Sequence, residues 1–398
     1  MDRISSARLF DESSLFLPGV RAGEVTFVAQ DARGPHGSTG DARDARGQAR
    51  QTLENLRTAL REVGQDLDNV VSLWVLLANY DHADAVASVL DEYFPSPQQA
   101  YPAVCFLGVT GLDGGCAVRM DAVASDSQDR SQISVSGVPL SKGSRCHGVR
   151  LGNLHFLSGV DAGGQAATGA DLYAAMARQV NTILDRTEAI LKSQGLALSD
   201  VFRNYNFLCR MPDPSAKAAH RDTRRQRLGT IFKPEEFPAQ TRIGIRTLDQ
   251  NILQRSVFVA TSDRGKAYVS SDKVRMTPGV FSQSVRVGDW LFIAGQDSIG
   301  LDQQTIGAGD LVMQTNVSMM HIKDIVEAAG GTLDDVVKTT VYLLEGQDRS
   351  LFASTYQRFF KTQKRSQWMP AGLTLGVEDL APDCLVEIDA VAYLRSRR

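Results

Sequence analysis

The sequence predicts an α+β protein made of three tandem copies of one unit. Two observations predict it. A strand-and-turn phrase occurs three times, as Gly19-Val20-Arg21-Ala22-Gly23, Gly148-Val149-Arg150-Leu151-Gly152 and Ser284-Val285-Arg286-Val287-Gly288. Independently, a helix-ending glycine (Gly64, Gly195, Gly330) and a Pro-Ala pair (Pro102-Ala103, Pro238-Ala239, Pro370-Ala371) recur about 130 residues apart, a domain-sized rather than solenoid-sized period. The units are expected at 1–127, 133–263 and 274–398, joined by polar linkers over Ser125–Gln132 and Asp263–Lys273. Three like domains on one chain make an intramolecular pseudo-trimer the expected arrangement.

Each unit has the same order of elements. An opening hairpin continues into a short strand, at Val25–Ala29, His155–Ser158 and Trp290–Ala294. A polar loop and a helix follow, over Ala49–Val63, Ala175–Ser193 and Met313–Ala329. In the first helix Leu53, Leu56, Leu60 and Val63 recur at helical spacing, so one face packs on a sheet. The glycine after each helix suits a left-handed C-terminal cap. A strand comes next, at Val70–Leu77, Val201–Cys209 and Val336–Leu344. A second helix ends at Phe94, Phe232 or Phe360, the Pro-Ala pair opens another strand, and a last strand closes each unit. The pattern ββ–α–β–α–ββ places both helices on one face of a sheet.

Composition narrows the function. A net charge of −3 gives no global attraction to nucleic acid or an anionic membrane. No run approaches the ~18 apolar residues of a membrane-spanning helix, and Met1–Ser14 has no signal-peptide core, so a cytoplasmic location is expected. The five cysteines are scattered without metal-ligand spacing, and no metal or cofactor is expected. GxSxG, P-loop, HExxH and strand-linked GxGxxG motifs are absent, and the loop Gly37–Gly47 lacks phosphate-loop spacing.

The phrases FSQSVRVGDWLFIAGQ (281–296), LDDVVKTTVYL (333–343) and LVEIDAVAYL (385–394) resemble the RidA/YjgF family, as do QTLENLRTALREVGQDLDNVV and VRMDAVA in the first unit. The second unit is more divergent. The resemblance implies a chorismate-mutase-like α+β fold with ligand clefts between neighbouring units. It also implies hydrolysis of reactive enamines and imines, with a cleft arginine holding the substrate carboxylate and a glutamate positioning water.

Carried over residue by residue, the family arginine falls on Val104, Gln240 and Gly372, so no unit keeps it. The family glutamate falls on Arg119, Arg255 and Glu387, and only the third unit keeps the acid. The family tyrosine falls near Phe16, Arg145 and Phe281, the helix asparagine on Ala87, Arg225 and Ala353, and the strand serine on Ala29, Ser158 and Ala294. The second unit has thus gained Arg145, Arg225 and Arg255. It also has Arg242, which strand alternation puts on the same face as Gln240. Arg221, Arg225, Leu228 and Phe232 form one helical stripe, which points Arg225 inward or to a cleft edge. His220, Arg224 and Arg227 lie off that stripe and are expected in solvent. The arginines fit either ion pairs across inter-unit contacts, an anion-binding cleft, or a solvated basic face.

The expected function is a RidA-like hydrolase or deaminase of a small anionic imine, enamine or related conjugated acid. Arg225, Arg242, Arg255 and Arg145 would bind the acid group, with Asn204, Gln240 and Ser158 as polar contacts. Glu387 would position or deprotonate water and is expected to be catalytic together with Arg242, and Gln296 would help position the water. Two alternatives stand beside it. One is a chorismatase-like hydrolase of a dicarboxylate, suggested by Arg203-Asn204, Arg225 and PAQTRIGI (238–245). The other is a non-catalytic scaffold that binds metabolites. The expected partner is a small anionic metabolite, with further self-association possible.

Overall fold

The computed structural model describes all residues except 5–8, 10–14, 41, 43, 96–100, 164–170, 362–368 and 396–398. Most of the polar N-terminal segment and part of the loop 37–47 lie outside the described residues.

Three mixed sheets repeat one plan. The first unit comprises β1 (Asp2–Ile4), β2 (Gly19–Ala22), β3 (Val25–Asp31), α1 (Ala45–Arg61), β4 (Val70–Leu77), α2 (Ala83–Tyr93), β5 (Ala103–Gly108) and β6 (Val118–Ser125). The second comprises β7 (Arg130–Ile133), β8 (Gly148–Leu151), β9 (Leu154–Leu157), β10 (Val160–Asp161), α3 (Leu172–Lys192), β11 (Val201–Leu208), α4 (Pro214–Leu228), β12 (Ala239–Gly244) and β13 (Gln254–Thr261). The third comprises β14 (Ala267–Val269), β15 (Ser284–Val287), β16 (Trp290–Gln296), α5 (Leu311–Ala328), β17 (Val336–Leu344), α6 (Arg349–Tyr356), α7 (Arg358–Lys361), β18 (Ala371–Val377) and β19 (Val386–Tyr393).

The sheet orders are β1-β2-β3-β6-β4-β5, β7-β8-β9-β13-β11-β12 and β14-β15-β16-β19-β17-β18. Each second helix is the crossover that makes the last pair parallel: β4 with β5, β11 with β12, β17 with β18. The ladder slips by one residue at the same place in all three, at Val70/Ser72, Val201/Arg203 and Val336/Lys338. The expected linkers do more than connect. Residues in and after them form the edge strands β7 and β14, which pair with β8 and β15 as β1 pairs with β2.

Contacts between units close into a cycle. Gly108 at the end of β5 bridges to Thr247, Gly244 at the end of β12 to Asp379, and Gly376 near the end of β18 to Gly111. Unit one thus meets unit two, unit two meets unit three, and unit three meets unit one. Glycine is required at each junction by close approach. A Cβ would lie 2.6 Å from Thr247 O at Gly108, 2.7 Å from Asp379 Cβ at Gly244, and 2.5 Å from Thr110 Oγ1 at Gly376. Units one and two each pack a core beneath their helices, and a further core joins Trp74, Leu76 and Leu107 to Phe207, Ile243 and Val257 and to Tyr342, Leu373 and Leu375. A cavity of about 60 Å³ among the units is lined by Trp74, Arg203, Tyr205 and Lys338. The Lys338–Asp121 and Arg203–Asp389 pairs neutralise the charges buried there.

Candidate active site between the second and third units

Each unit presents its parallel edge strand to the next unit's opening hairpin, giving three equivalent clefts. In two of them the buried cations are paired with internal carboxylates. Between units one and two, Arg255 on β13 is 0% exposed. Its guanidinium donates to Asp161 at 2.7 and 2.9 Å, to Asp249 at 2.7 Å, to the Tyr80 hydroxyl at 2.8 Å and to Phe106 O at 2.7 Å. Between units three and one, Arg119 and Arg33 converge on Asp31 at 3.6 and 2.6 Å, against Gly372. Both clefts spend their cations on their own carboxylates.

The cleft between units two and three has the opposite arrangement. At the position of Arg119 and Arg255 stands Glu387, paired in the ladder with Tyr342. Asp297, which occupies the place of Asp31 and Asp161, takes Arg275 at 2.9 Å. Glu387 is 6% exposed. Burial first, then the charge of Asp297, push its carboxyl up to about 8, against the pull of Arg242. Gly295 makes room for it: a Cβ there would lie 1.8 Å from Glu387 Oε1.

Unit two supplies the cations. In β11 and β12, Asn204 is beside Gln240 and Asn206 beside Arg242. The equivalent β4 residues, Leu73 and Val75, belong to an apolar core. Helix α4 covers the second-unit stripe with Ala216, Ala219, His220, Thr223, Arg224 and Leu228. Arg224 donates to Asn204 Oδ1 at 2.9 Å, and no carboxylate engages it among the described residues. Burial, with the Arg242 charge beside it, pushes its guanidinium down to about 9, still cationic at neutral pH. Arg242 is also lowered by burial, opposed by the charges of Glu387, Asp379 and Asp297, and no hydrogen bond or ion-pair contact engages it among the described residues. A cavity of about 10 Å³ is lined by His220, Arg224, Arg225, Gln240 and Arg242 from unit two and by Gly279 and Val280 from unit three.

The structure thus brings Arg242, Gln240 and Arg225 to one cleft, with Asn204 behind Arg224 and the charge of Glu387 felt by Arg242. Arg225 is exposed and stands at the rim, its Nε 3.9 Å from where a Cβ on Gly279 would be. The other expected residues lie elsewhere. Arg145 is at the first junction, paired with Asp91 at 2.6 Å. Ser158, also there, donates to Cys146 O at 2.8 Å and accepts from Val104 N. Arg255 serves the ion-pair network of that same junction. Gln296 turns back on its own strand, donating to Ala294 O at 3.0 Å.

His220 and Arg224, expected in solvent, are instead buried at 1% and 6% exposure. The inward stripe of α4 is offset by one residue from the expected one. The small residues Ala216, Ala219 and Thr223 carried that signal, because they let the helix approach the sheet. Among the described residues no cluster of three or more metal-ligating side chains occurs, and no helix is long and apolar enough to cross a membrane.

The endoribonuclease L-PSP family model matches residues 14–126 and 274–394, which is more than half of the chain. The chain belongs to the endoribonuclease L-PSP family. This is the RidA/YjgF resemblance of the first and third units; the second unit, outside the matched residues, repeats the family's strand order in divergent sequence. Among L-PSP family relatives, a RutC family protein of Pyrococcus abyssi is 36% identical over 128 residues, covering 32% of this chain and 97% of the relative. The 2-iminobutanoate/2-iminopropanoate deaminase of Escherichia coli is 30% identical over 127 residues, covering 32% and 97%. A chorismatase crystal structure shares the fold over 82% of this chain and 93% of its own, with a TM-score of 0.59 and 17% identity.

Proposed function

We propose that the protein is a hydrolase of a small carboxylate carrying a conjugated imine or enamine, bound in the cleft between units two and three. The observation that carries this reading is a buried acid, Glu387, and two guanidiniums without carboxylate partners among the described residues at one inter-unit contact. Arg242 and Arg224 bind the substrate carboxylate. Glu387, held mostly protonated at neutral pH, donates its proton to the imine nitrogen or to the enamine carbon. Water adds to the resulting electrophilic carbon and returns a proton to Glu387, and ammonia leaves as the ketone forms. Glu387 therefore acts first as an acid, not as the base that deprotonates water. The activity named for the Escherichia coli relative is of this class.

A second reading is favoured by the number of cations. Two arginines suit a dicarboxylate, and the same acid serves an enol ether: protonation of its terminal carbon, water addition and loss of the alcohol yield a keto acid. This is the chorismatase-like reading.

Supplying freshly generated 2-iminobutanoate, and separately chorismate, to the purified chain tests both. Ammonia release above the spontaneous rate supports the first reading, and pyruvate release from chorismate the second. Carboxylate binding with neither product points to a non-catalytic binding protein. Glu387→Gln should abolish whichever release occurs.

A further inference from the structure

A chain of hydrogen bonds behind the cleft fixes the polarity of His220. Arg224 can only donate, and it donates to Asn204 Oδ1 at 2.9 Å. That leaves Asn204 Nδ2 to donate to Asn206 Oδ1, 3.1 Å away, and Asn206 Nδ2 returns a bond to Asn204 Oδ1 at 3.0 Å. Asn206 Oδ1 is thus an acceptor, and Gln254 Nε2 donates to it at 3.2 Å and to Ser256 Oγ at 2.8 Å. Gln254 Oε1 is then the acceptor facing His220 Nδ1 at 2.9 Å, so Nδ1 carries the proton. His220 Nε2 is left with a bare lone pair.

That nitrogen is buried without a hydrogen-bond partner, and His220 lines the cavity with Arg224 and Arg242. Burial and the two arginine charges hold the imidazole well below its ordinary pKa, so it stays neutral. Gln240, 9% exposed and lining the same cavity, adds a second unpartnered atom, its Oε1. A buried acceptor left unmade is costly. A carboxylate alone cannot satisfy it, because a carboxylate only accepts.

We infer that His220 Nε2 accepts a hydrogen bond from a hydroxyl of the ligand, so that the cleft selects hydroxylated carboxylates over plain ones. This rests on the anion-binding cleft proposed above and adds the second recognition element. His220 sets specificity, and Asn204, Asn206 and Gln254 position it.

The test is calorimetric titration of the full chain with propionate, lactate and 3-hydroxypropionate. At least one hydroxy acid should bind about fivefold or more tightly than propionate, the fold-change of one neutral hydrogen bond. His220→Phe should lose that gain, read as the ratio of hydroxy-acid to propionate affinity within the variant. Gln254→Met, which frees the imidazole to take the other tautomer, should shrink the gain without moving residues that touch the ligand. Equal binding of all three acids to the parent chain, or a gain that survives His220→Phe, would overturn the inference while leaving the anion cleft standing. Failure of propionate to bind at all would remove the cleft and this inference with it.

Discussion

Glu387 sits in an environment far from what its side chain prefers. Its carboxyl is pushed up to about 8 from an ordinary value of 4.5, burial being the largest cause. The folded chain therefore keeps a proton that the unfolded chain releases near pH 4.5. That contribution to stability is complete below about pH 4.5 and is lost as pH rises through about 8. Glu387→Gln should accordingly melt higher than the parent at pH 8 to 9, and the gap should close at pH 5. Catalysis should move oppositely: turnover should fall by about 100-fold or more in Glu387→Gln, and kcat/KM of the parent should decline above about pH 8 as the acid loses its proton. Among the arginines, Arg224→Ala should weaken carboxylate binding by about tenfold, as expected for loss of a charge-assisted hydrogen bond. Arg225→Ala at the exposed rim should change it less than threefold, screened by solvent. The special character of Glu387 was legible in the sequence, because it is the one acid at a position where the other units carry Arg119 and Arg255. The burial of His220 and Arg224 was not legible from Leu228 and Phe232, since Leu228 suits two adjacent helical stripes and only the sheet beneath chooses between them.

At the scale of elements, β16 shows how one glycine shapes the site. Its ladder with β19 is irregular between Ile293 and Gln296, and Gly295 in that gap meets the Glu387 carboxylate. Gly295→Ala should displace the acid and cut turnover to the level of Glu387→Gln. Its effect on melting should be small, because the rest of the ladder is untouched; a fully active Gly295→Ala would show that the acid does not act from this position. Most strand and helix limits followed from periodicity and glycine or proline punctuation. The edge strands β7 and β14 did not. Arg130-Ser131-Gln132-Ile133 and Ala267-Tyr268-Val269 are short and lie in or beside polar segments. Their strand state comes from the unpaired edges of β8 and β15, a long-range cause that local sequence does not display.

At the scale of the molecule, the cycle of junctions is what places Arg242 of one unit near Glu387 of the next. Gly244 is one of those junctions, with backbone bonds from Gly244 N to Asp379 O at 2.9 Å and from Glu378 N to Gly244 O at 2.8 Å. Gly244→Val should open the contact between units two and three and destabilise the chain by about 3 kcal/mol, since the added side chain meets backbone and Asp379. Small-angle scattering should show the parent as compact and the variant as expanded. Three repeats were legible in the sequence, whereas the internal pairing of the cations in two of the three clefts was not. That pairing depends on Asp31 and Asp161 meeting Arg119 and Arg255 across strands, and on Asp297 meeting Arg275 instead. The most direct measurement of the central claim is a crystal structure with a small carboxylate such as lactate soaked in. The account predicts the carboxylate within hydrogen-bond distance of both Arg242 and Arg224 in the cleft between units two and three. A carboxylate seated in another cleft, or Arg242 closed on Glu387 with the cavity empty at saturating ligand, would contradict it.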